Sequence, residues 1–375
     1  MESLHTNTEQ FYQCLSFFPR RITKIPRNGN HVYFNGCLLV ADISGFTALS
    51  STLCAQGASG LDQLRLFTDN SFESFVKSIY LNGGDVIEFA GDALLCVFLP
   101  NENDIDSRRD CCLRAITCGL EISRRRIDGT HTHVAASYGR MCFALLGGHK
   151  GHGTYVLNGE CVDVIGKCLE RAEAQQLVVT NDVFRAVADD VTVVQVSLMS
   201  DDVELYRVAT KKGRPLTWTR SGQSWLQSFT SEGASDSGDM LELQTSVDFV
   251  TQRDIIGCVP LPVVHAIYSN ALPGLSEIRT VTTLFLRLDT YSQQKFDDLA
   301  DMQPFFFAMQ RCLDECGGML RQFLIDDKGC VLIGLWGVPT ATHAANCSKA
   351  LRCAVLMKNA CSRHGHKISV GITTG

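Results

Sequence analysis

The stretch Gly36-Cys37-Leu38-Leu39-Val40-Ala41-Asp42-Ile43-Ser44-Gly45-Phe46-Thr47 runs apolar up to a single aspartate and then reaches a glycine. Further along, Gly83-Gly84-Asp85-Val86-Ile87-Glu88-Phe89-Ala90-Gly91-Asp92-Ala93-Leu94-Leu95 again sets an aspartate, Asp92, beside a glycine between short apolar runs. Carboxylates are depleted from buried strands, because desolvating a charge is costly unless it is paired or metal-bound. Two such departures, separated by a helix-length segment, read as neighbouring strands that present Asp42 and Asp92 to one divalent cation site. Without a cation, two nearby carboxylates would repel each other and one would be driven to take a proton. Taken singly, each has a structural reading as well: Asp42 capping a turn, Asp92 in a hairpin loop.

Outward from these motifs, residues 1–31 are a polar lead-in with an apolar patch at Phe17-Phe18-Pro19. A strand from Tyr33 to Asp42 is followed by a turn rich in small residues. An amphipathic helix then runs from about Gly60 to Leu81, where Phe67, Phe72, Phe75, Val76 and Ile79 recur largely at three- and four-residue intervals. Asn82-Gly83-Gly84 stops it, since glycine takes the positive φ of a C-cap. Val86–Phe89 and Ala93–Phe98 read as a tight hairpin turning at Gly91-Asp92. A helix over 106–125, a strand at 133–138, a strand pair near 141–146 and 154–157, a helix over 159–174, a strand at 177–180 and a strand region over 191–208 complete the unit. This βαββαβ order predicts an α+β, ferredoxin-like architecture, an antiparallel sheet with helices on one face.

A chain of 375 residues with 45% hydrophobic and 20% charged residues supports packed cores and about two domains. Its net charge of -6 gives no electrostatic reason to expect a nucleic-acid polymer as partner. The N-terminus lacks the layout of a secretory signal, and no apolar run approaches the roughly 20 residues that span a bilayer; a cytoplasmic setting is expected. Many of the 17 cysteines lie inside apolar patterns and no C-x-x-C pair occurs, so they read as reduced thiols filling core positions. His131 and His133, and His149 and His152, read by default as exposed loop histidines.

The composition changes between about 213 and 275, where Ser- and Gly-rich runs mark a linker, with 242–272 docking as a helical connector. An internal repeat follows. Thr282–Leu288 repeats the first strand, Phe305–Cys316 the first helix and Gly317-Gly318 the pair Gly83-Gly84. Asp327-Lys328-Gly329 answers the Gly91-Asp92 turn, 344–359 repeats the second helix and 367–375 repeats 133–139. The expected division is therefore a lead-in (1–31), a first domain (32–212), a linker (213–275) and a partial second copy (276–375) that reads as truncated. In that copy Arg287 stands where the first has Asp42, so one competent and one degenerate site are expected.

The pair D-I-S-G-F-T and F-A-G-D-A-L-L resembles the metal-binding signature of the class III nucleotidyl cyclases. The resemblance implies two like domains pairing within the chain around ATP, one supplying metal ligands and the other base-reading residues. Asp42 and Asp92, with the backbone carbonyl of Ile43, would hold two Mg²⁺ or Mn²⁺ ions. Ile43, Ser44, Gly45, Phe46 and Thr47 would cradle phosphates at a helix start. The ribose 3′-hydroxyl would attack the α-phosphate, giving 3′,5′-cyclic AMP and pyrophosphate. A family lysine that contacts phosphate falls at His133, and the lysine that reads adenine falls at Gln322. Soluble members hold bicarbonate with a lysine and an arginine; here those positions are Glu88 and Gly166, which argues against bicarbonate regulation. A glutamate at the position of Glu88 reads guanine in guanylyl cyclases. The family's transition-state asparagine and arginine fall beyond Gly375. The competing readings are a catalytically impaired nucleotide-binding regulatory module and a guanylate cyclase.

Overall fold

The computed structural model describes residues 8–25, 30–100, 107–125, 130–196, 204–211, 250–272, 279–290, 302–326, 329–363 and 365–375. The expected linker lies mostly outside these residues, as does Asp327-Lys328. Contacts divide the chain into two bodies.

The first comprises described residues between 34 and 141 and between 159 and 211. Strand β1 (His31–Ser44) enters it, followed by α2 (Phe46–Cys54) and α3 (Ala58–Leu81), α1 being the N-terminal helix Thr8–Leu15. The hairpin β2 (Asp85–Ala90) and β3 (Ala93–Phe98), α4 (Ser107–Ser123), β4 (His131–His149), α5 (Glu160–Arg171), β6 (Leu177–Thr180), α6 (Asn181–Val187), β7 (Val191–Val196) and β8 (Leu205–Lys211) follow, with β5 (His152–Asn158) paired to β4. The sheet order is β2-β3-β1-β4-β6-β8-β7. Its core joins Leu39, Ala41 and Ile43 of β1 to Phe67, Phe75 and Ile79 of α3 and to Cys111, Ala115, Ile116 and Cys118 of α4. Burial of these apolar faces is the main force holding the layers together.

The α+β expectation holds, with corrections. The sheet is mixed, not antiparallel, because β6 runs parallel to β4 (Val134 beside Leu177). The strands expected at 133–138 and 141–146 are one strand of 19 residues. The small-residue turn contains α2, and the region before β7 contains α6; both are short enough that tertiary packing outweighs weak intrinsic propensity. The strand region over 191–208 is two strands, β7 and β8.

The second body comprises α1, Cys142–Asn158 and the described residues from 250 on. Helices α7 (Gln252–Cys258) and α8 (Leu261–Tyr268) form the connector, α7 opening with a Thr251–Asp254 capping box. Then come β9 (Thr282–Leu288), α9 (Met302–Glu315), β10 (Met319–Asp326), β11 (Gly329–Trp336), α10 (Asn346–Arg363) and β12 (Ile368–Thr374). Their sheet order, β10-β11-β9-β12, repeats β2-β3-β1-β4.

Packing fixes the correspondence between the copies. A Cβ on Gly84 would lie 2.8 Å from Phe98, and one on Gly318 would collide with Trp336. Both aromatic rings are fully buried, and each leaves no room for a side chain at the helix-to-strand glycine.

Candidate active site

The geometry begins with strand register. Asp42 pairs across the β1–β3 ladder with Ala93, and Asp92 is the preceding residue, in the turn that closes the β2–β3 hairpin at Ala90 and Ala93. Ala41 and Leu94, one step into the sheet, have no exposed surface, whereas Asp42 and Asp92 are half-buried. The two carboxylate-bearing positions therefore meet at the rim of the core, where β1 ends and the hairpin turns. Gly91 takes φ 68° in that turn, which a side chain would strain.

Beyond Asp42 the chain turns sharply. Ile43 is 1% exposed and packs in the core, and Ser44 ends β1. Gly45, at φ 84°, is the N-cap of α2 and makes no side-chain cap. Within the helix the Thr47 carbonyl accepts the hydroxyls of Ser50 (3.0 Å) and Ser51 (2.9 Å). Phe46 anchors the first turn against Phe67 at 6.1 Å. The opening N–H groups of a helix have no partner within it, and this first turn holds no acidic residue. An amide-rich helix start thus sits directly after a carboxylate strand end. The first attracts anions and the second repels them, and a divalent cation reconciles the two.

The donor set fits such an ion. Two carboxylates and the nearby backbone carbonyl of Ile43 are hard oxygen ligands of the kind Mg²⁺ and Mn²⁺ prefer. Among the described residues there is no cluster of three or more His, Cys, Asp or Glu side chains with metal-binding geometry. Two carboxylates alone leave coordination positions for phosphate oxygens and water, as a substrate-bridged site requires.

The other residues singled out from sequence lie on different elements. His133 is half-buried near the start of β4, the strand beside β1, one residue before the β4–β6 pairing begins. Gln322 is half-buried on β10, directly after a bulge between Leu320 and Gln322. Glu88 follows a bulge at the matching place on β2, between Val86 and Glu88. The two bulges make Glu88 and Gln322 structural counterparts, in keeping with their equal spacing from Gly84 and Gly318.

The same anchors show what has become of the carboxylate pair in the second copy. Arg287 pairs with Val331 where Asp42 pairs with Ala93. Its Nε donates to Asp289 Oδ1 at 2.9 Å, and Ser369 Oγ donates to Asp289 Oδ2 at 2.7 Å. These bonds from Ser369 and Arg287 hold the Asp289 carboxyl below the usual range. The β10–β11 hairpin continues for two further pairs, Ile325 with Cys330 and Asp326 with Gly329. Its turn is thereby carried away from the position of Asp92, and a fully buried thiol, Cys330, stands there.

Sequence reading missed α2, the bulges and the longer second hairpin. Gly45 and Gly57 on either side of α2 were the available signal for that helix.

No family model matches the chain. The chain is 24% identical over 364 residues to adenylate cyclase type 10 of Homo sapiens, covering 92% of this chain and 22% of that protein. The corresponding rabbit protein, of Oryctolagus cuniculus, is 23% identical over 373 residues, covering 93% and 22%. The chain thus spans about a fifth of the length of the curated relatives it matches. Among solved structures, the adenylyl cyclase CyaB from P. aeruginosa is 16% identical, covering 48% of this chain and 97% of that one at a TM-score of 0.42. The guanylate cyclase domain of RhGC from Catenaria anguillulae, in complex with GTP, is 16% identical, covering 48% and 100% at 0.41.

The described fold is α+β, and the strand order of the second copy repeats that of the first. Along nearly its whole length the chain is similar to the type 10 adenylate cyclases. Among the described residues, no helix is long and apolar enough to cross a membrane.

Proposed function

We propose that the chain is the nucleotide-cyclising part of a cytoplasmic signalling enzyme that converts ATP to 3′,5′-cyclic AMP and pyrophosphate. The observation that carries this reading is the register that sets Asp42 beside Asp92 immediately before the N-terminus of α2. In the reaction the ribose 3′-oxygen forms a bond to the α-phosphorus, and the bond from that phosphorus to the bridging oxygen breaks to release pyrophosphate. Two bound Mg²⁺ or Mn²⁺ ions would lower the pKa of the 3′-hydroxyl and neutralise the triphosphate. Asp42, Asp92 and the Ile43 carbonyl would hold them. The amides of Ile43 to Thr47 would orient the phosphates, with His133 at a phosphate and Gln322 offering paired hydrogen bonds to adenine. The reading takes 32–212 as one cyclase domain and 276–375 as part of its intramolecular partner.

The second reading, a nucleotide-binding regulatory module with little turnover, draws on Gln322 and His133, each standing where the family has a lysine. Glu88 favours guanine over adenine only if it reaches the base.

Cyclic nucleotide formation with Mn²⁺ and either ATP or GTP, by the chain alone and by a form extended past Gly375, separates these readings. Cyclic AMP that disappears in Asp42→Asn supports the cyclase. Metal-dependent nucleotide binding without product supports the module, and loss of both overturns the reading of the site.

A further inference from the structure

The second body carries an open pocket of about 370 Å³. One wall is the tip of the β4–β5 hairpin, Gly147-Gly148-His149-Lys150-Gly151-His152-Gly153. This tip is fastened to α9 by a ladder of side chains. Gln303 Oε1 accepts from the Gly147 amide at 2.9 Å, and its Nε2 donates to the Gly147 carbonyl at 2.6 Å. Gln310 is 7% exposed, and its Nε2 donates to the His152 carbonyl at 3.0 Å. Asp314 accepts from Lys150 Nζ at 2.7 Å and lies 3.1 Å from His149 Nε2. Residues 303, 310 and 314 share one helix face, so the tip is held in a defined place.

The lining of this pocket combines an excess of basic groups with apolar side chains. His149, Lys150 and His152 face it with three basic groups, and Asp314 is the single carboxylate on its wall. Apolar side chains line it as well, among them Leu261 of the connector and Met319 of β10. Its volume falls in the range of small-molecule sites and well exceeds one inorganic anion. Burial holds the His152 imidazole below its ordinary pKa, against a raising influence from Asp314 and lowering ones from His149 and Lys150. Cys258 of α7, 3.8 Å from where a Gly153 side chain would begin, is pushed up to about 12 by burial and adds no charge.

We propose that this cavity is a second ligand site, separate from the aspartate pair, that takes a small organic anion. Lys150 and His152 bind the anionic head, and the apolar side chains take the organic body. Asp314 competes with the ligand for Lys150, so the site is partly self-inhibited. Protonation of His152 adds a second cationic donor, so affinity rises on acidification.

Benzenesulfonate is a suitable probe because it stays a monoanion at all working pH values, and EDTA removes any contribution from metal at Asp42 and Asp92. Calorimetric titration of the full chain should show saturable binding that is tighter at pH 6 than at pH 8. Inorganic sulfate and benzyl alcohol, each carrying half of the ligand chemistry, should bind about tenfold more weakly or not at all. Lys150→Gln should weaken benzenesulfonate about tenfold, and Asp314→Asn should tighten it several-fold. Both side chains are exposed enough for substitution without unfolding, which an unchanged thermal midpoint would verify. Opposite signs for these two variants distinguish a binding role from loss of the hairpin fastening, which would weaken binding in both. Absence of saturable binding, or equal affinity in Lys150→Gln, overturns the proposal.

Discussion

At the scale of single residues, Asp42 and Asp92 are set side by side by backbone register, and each lies where an apolar strand ends. Two neighbouring carboxylates repel unless a cation or another partner compensates them. Asp42→Asn is therefore expected to leave the metal-free thermal midpoint unchanged or raised, while abolishing Mn²⁺-dependent nucleotide binding. On the proposed cyclase reading, product formation should fall by about a thousandfold or more, the scale of transition-state stabilisation that a bound metal supplies. Calorimetry with and without Mn²⁺, beside a cyclic AMP assay, reads both effects; a large loss of metal-free stability would mean that Asp42 is a structural cap. Arg114 poses the converse case. It is 3% exposed, and its guanidinium donates to Asp110 at 2.9 Å, to the Gly83 carbonyl at 3.0 Å and to the Leu99 carbonyl. It thus ties α4 to the residues that flank the open end of the β2–β3 hairpin, whose turn carries Asp92. Arg114→Ala strands a carboxylate and two carbonyls and should cost about 3 kcal/mol in chemical denaturation.

At the scale of elements, the glycine–aromatic pairs Gly84–Phe98 and Gly318–Trp336 show why the helix-to-strand junctions repeat. Gly84→Ala and Gly318→Ala should each destabilise by about 1–3 kcal/mol through overpacking, measured by urea midpoints. The glycines themselves were legible in sequence, because they punctuate a strong helical period. The mixed sheet was not: β6 becomes parallel to β4 through a crossover that no local pattern records. The 19-residue span of β4 was hidden as well, since Gly139 and Arg140 break its apolar alternation without ending the strand. The hairpin tip that this strand feeds is held to α9 by groups that titrate. Lys150 and His149 keep the Asp314 carboxyl below its ordinary pKa. Its stabilising contribution is complete above about pH 4 and is lost as the pH falls through the lower folded value. His152 acts in the same direction: the fold favours its neutral form, so acidification below about pH 6.5 opposes burial of that side chain. Amide exchange at residues 147–153 should accordingly quicken in acid relative to the core strands, and Asp314→Asn should flatten the part of that profile below about pH 4. A profile identical in the variant would assign the acid sensitivity to other groups.

At the scale of the whole molecule, the two copies share a topology and differ in chemistry. Their likeness was readable because both keep the paired glycines and the strand–helix–hairpin order. Their inequivalence was readable only in part: Arg287 stood out in sequence, whereas the two extra pairs of the second hairpin emerge only from the register. Those pairs have a consequence for metal binding. Restoring a carboxylate with Arg287→Asp would not rebuild the first site, because the turn that would bring its partner has moved and Cys330 occupies the place. The displaced charge would also face Asp289, which now pairs with Arg287. Manganese titration followed by electron paramagnetic resonance should therefore give the same stoichiometry for the chain and for Arg287→Asp, and none of the tight sites in Asp42→Asn. Additional tight Mn²⁺ in Arg287→Asp would mean that the second copy needs only one carboxylate to become competent, and that hairpin length does not separate the two sites.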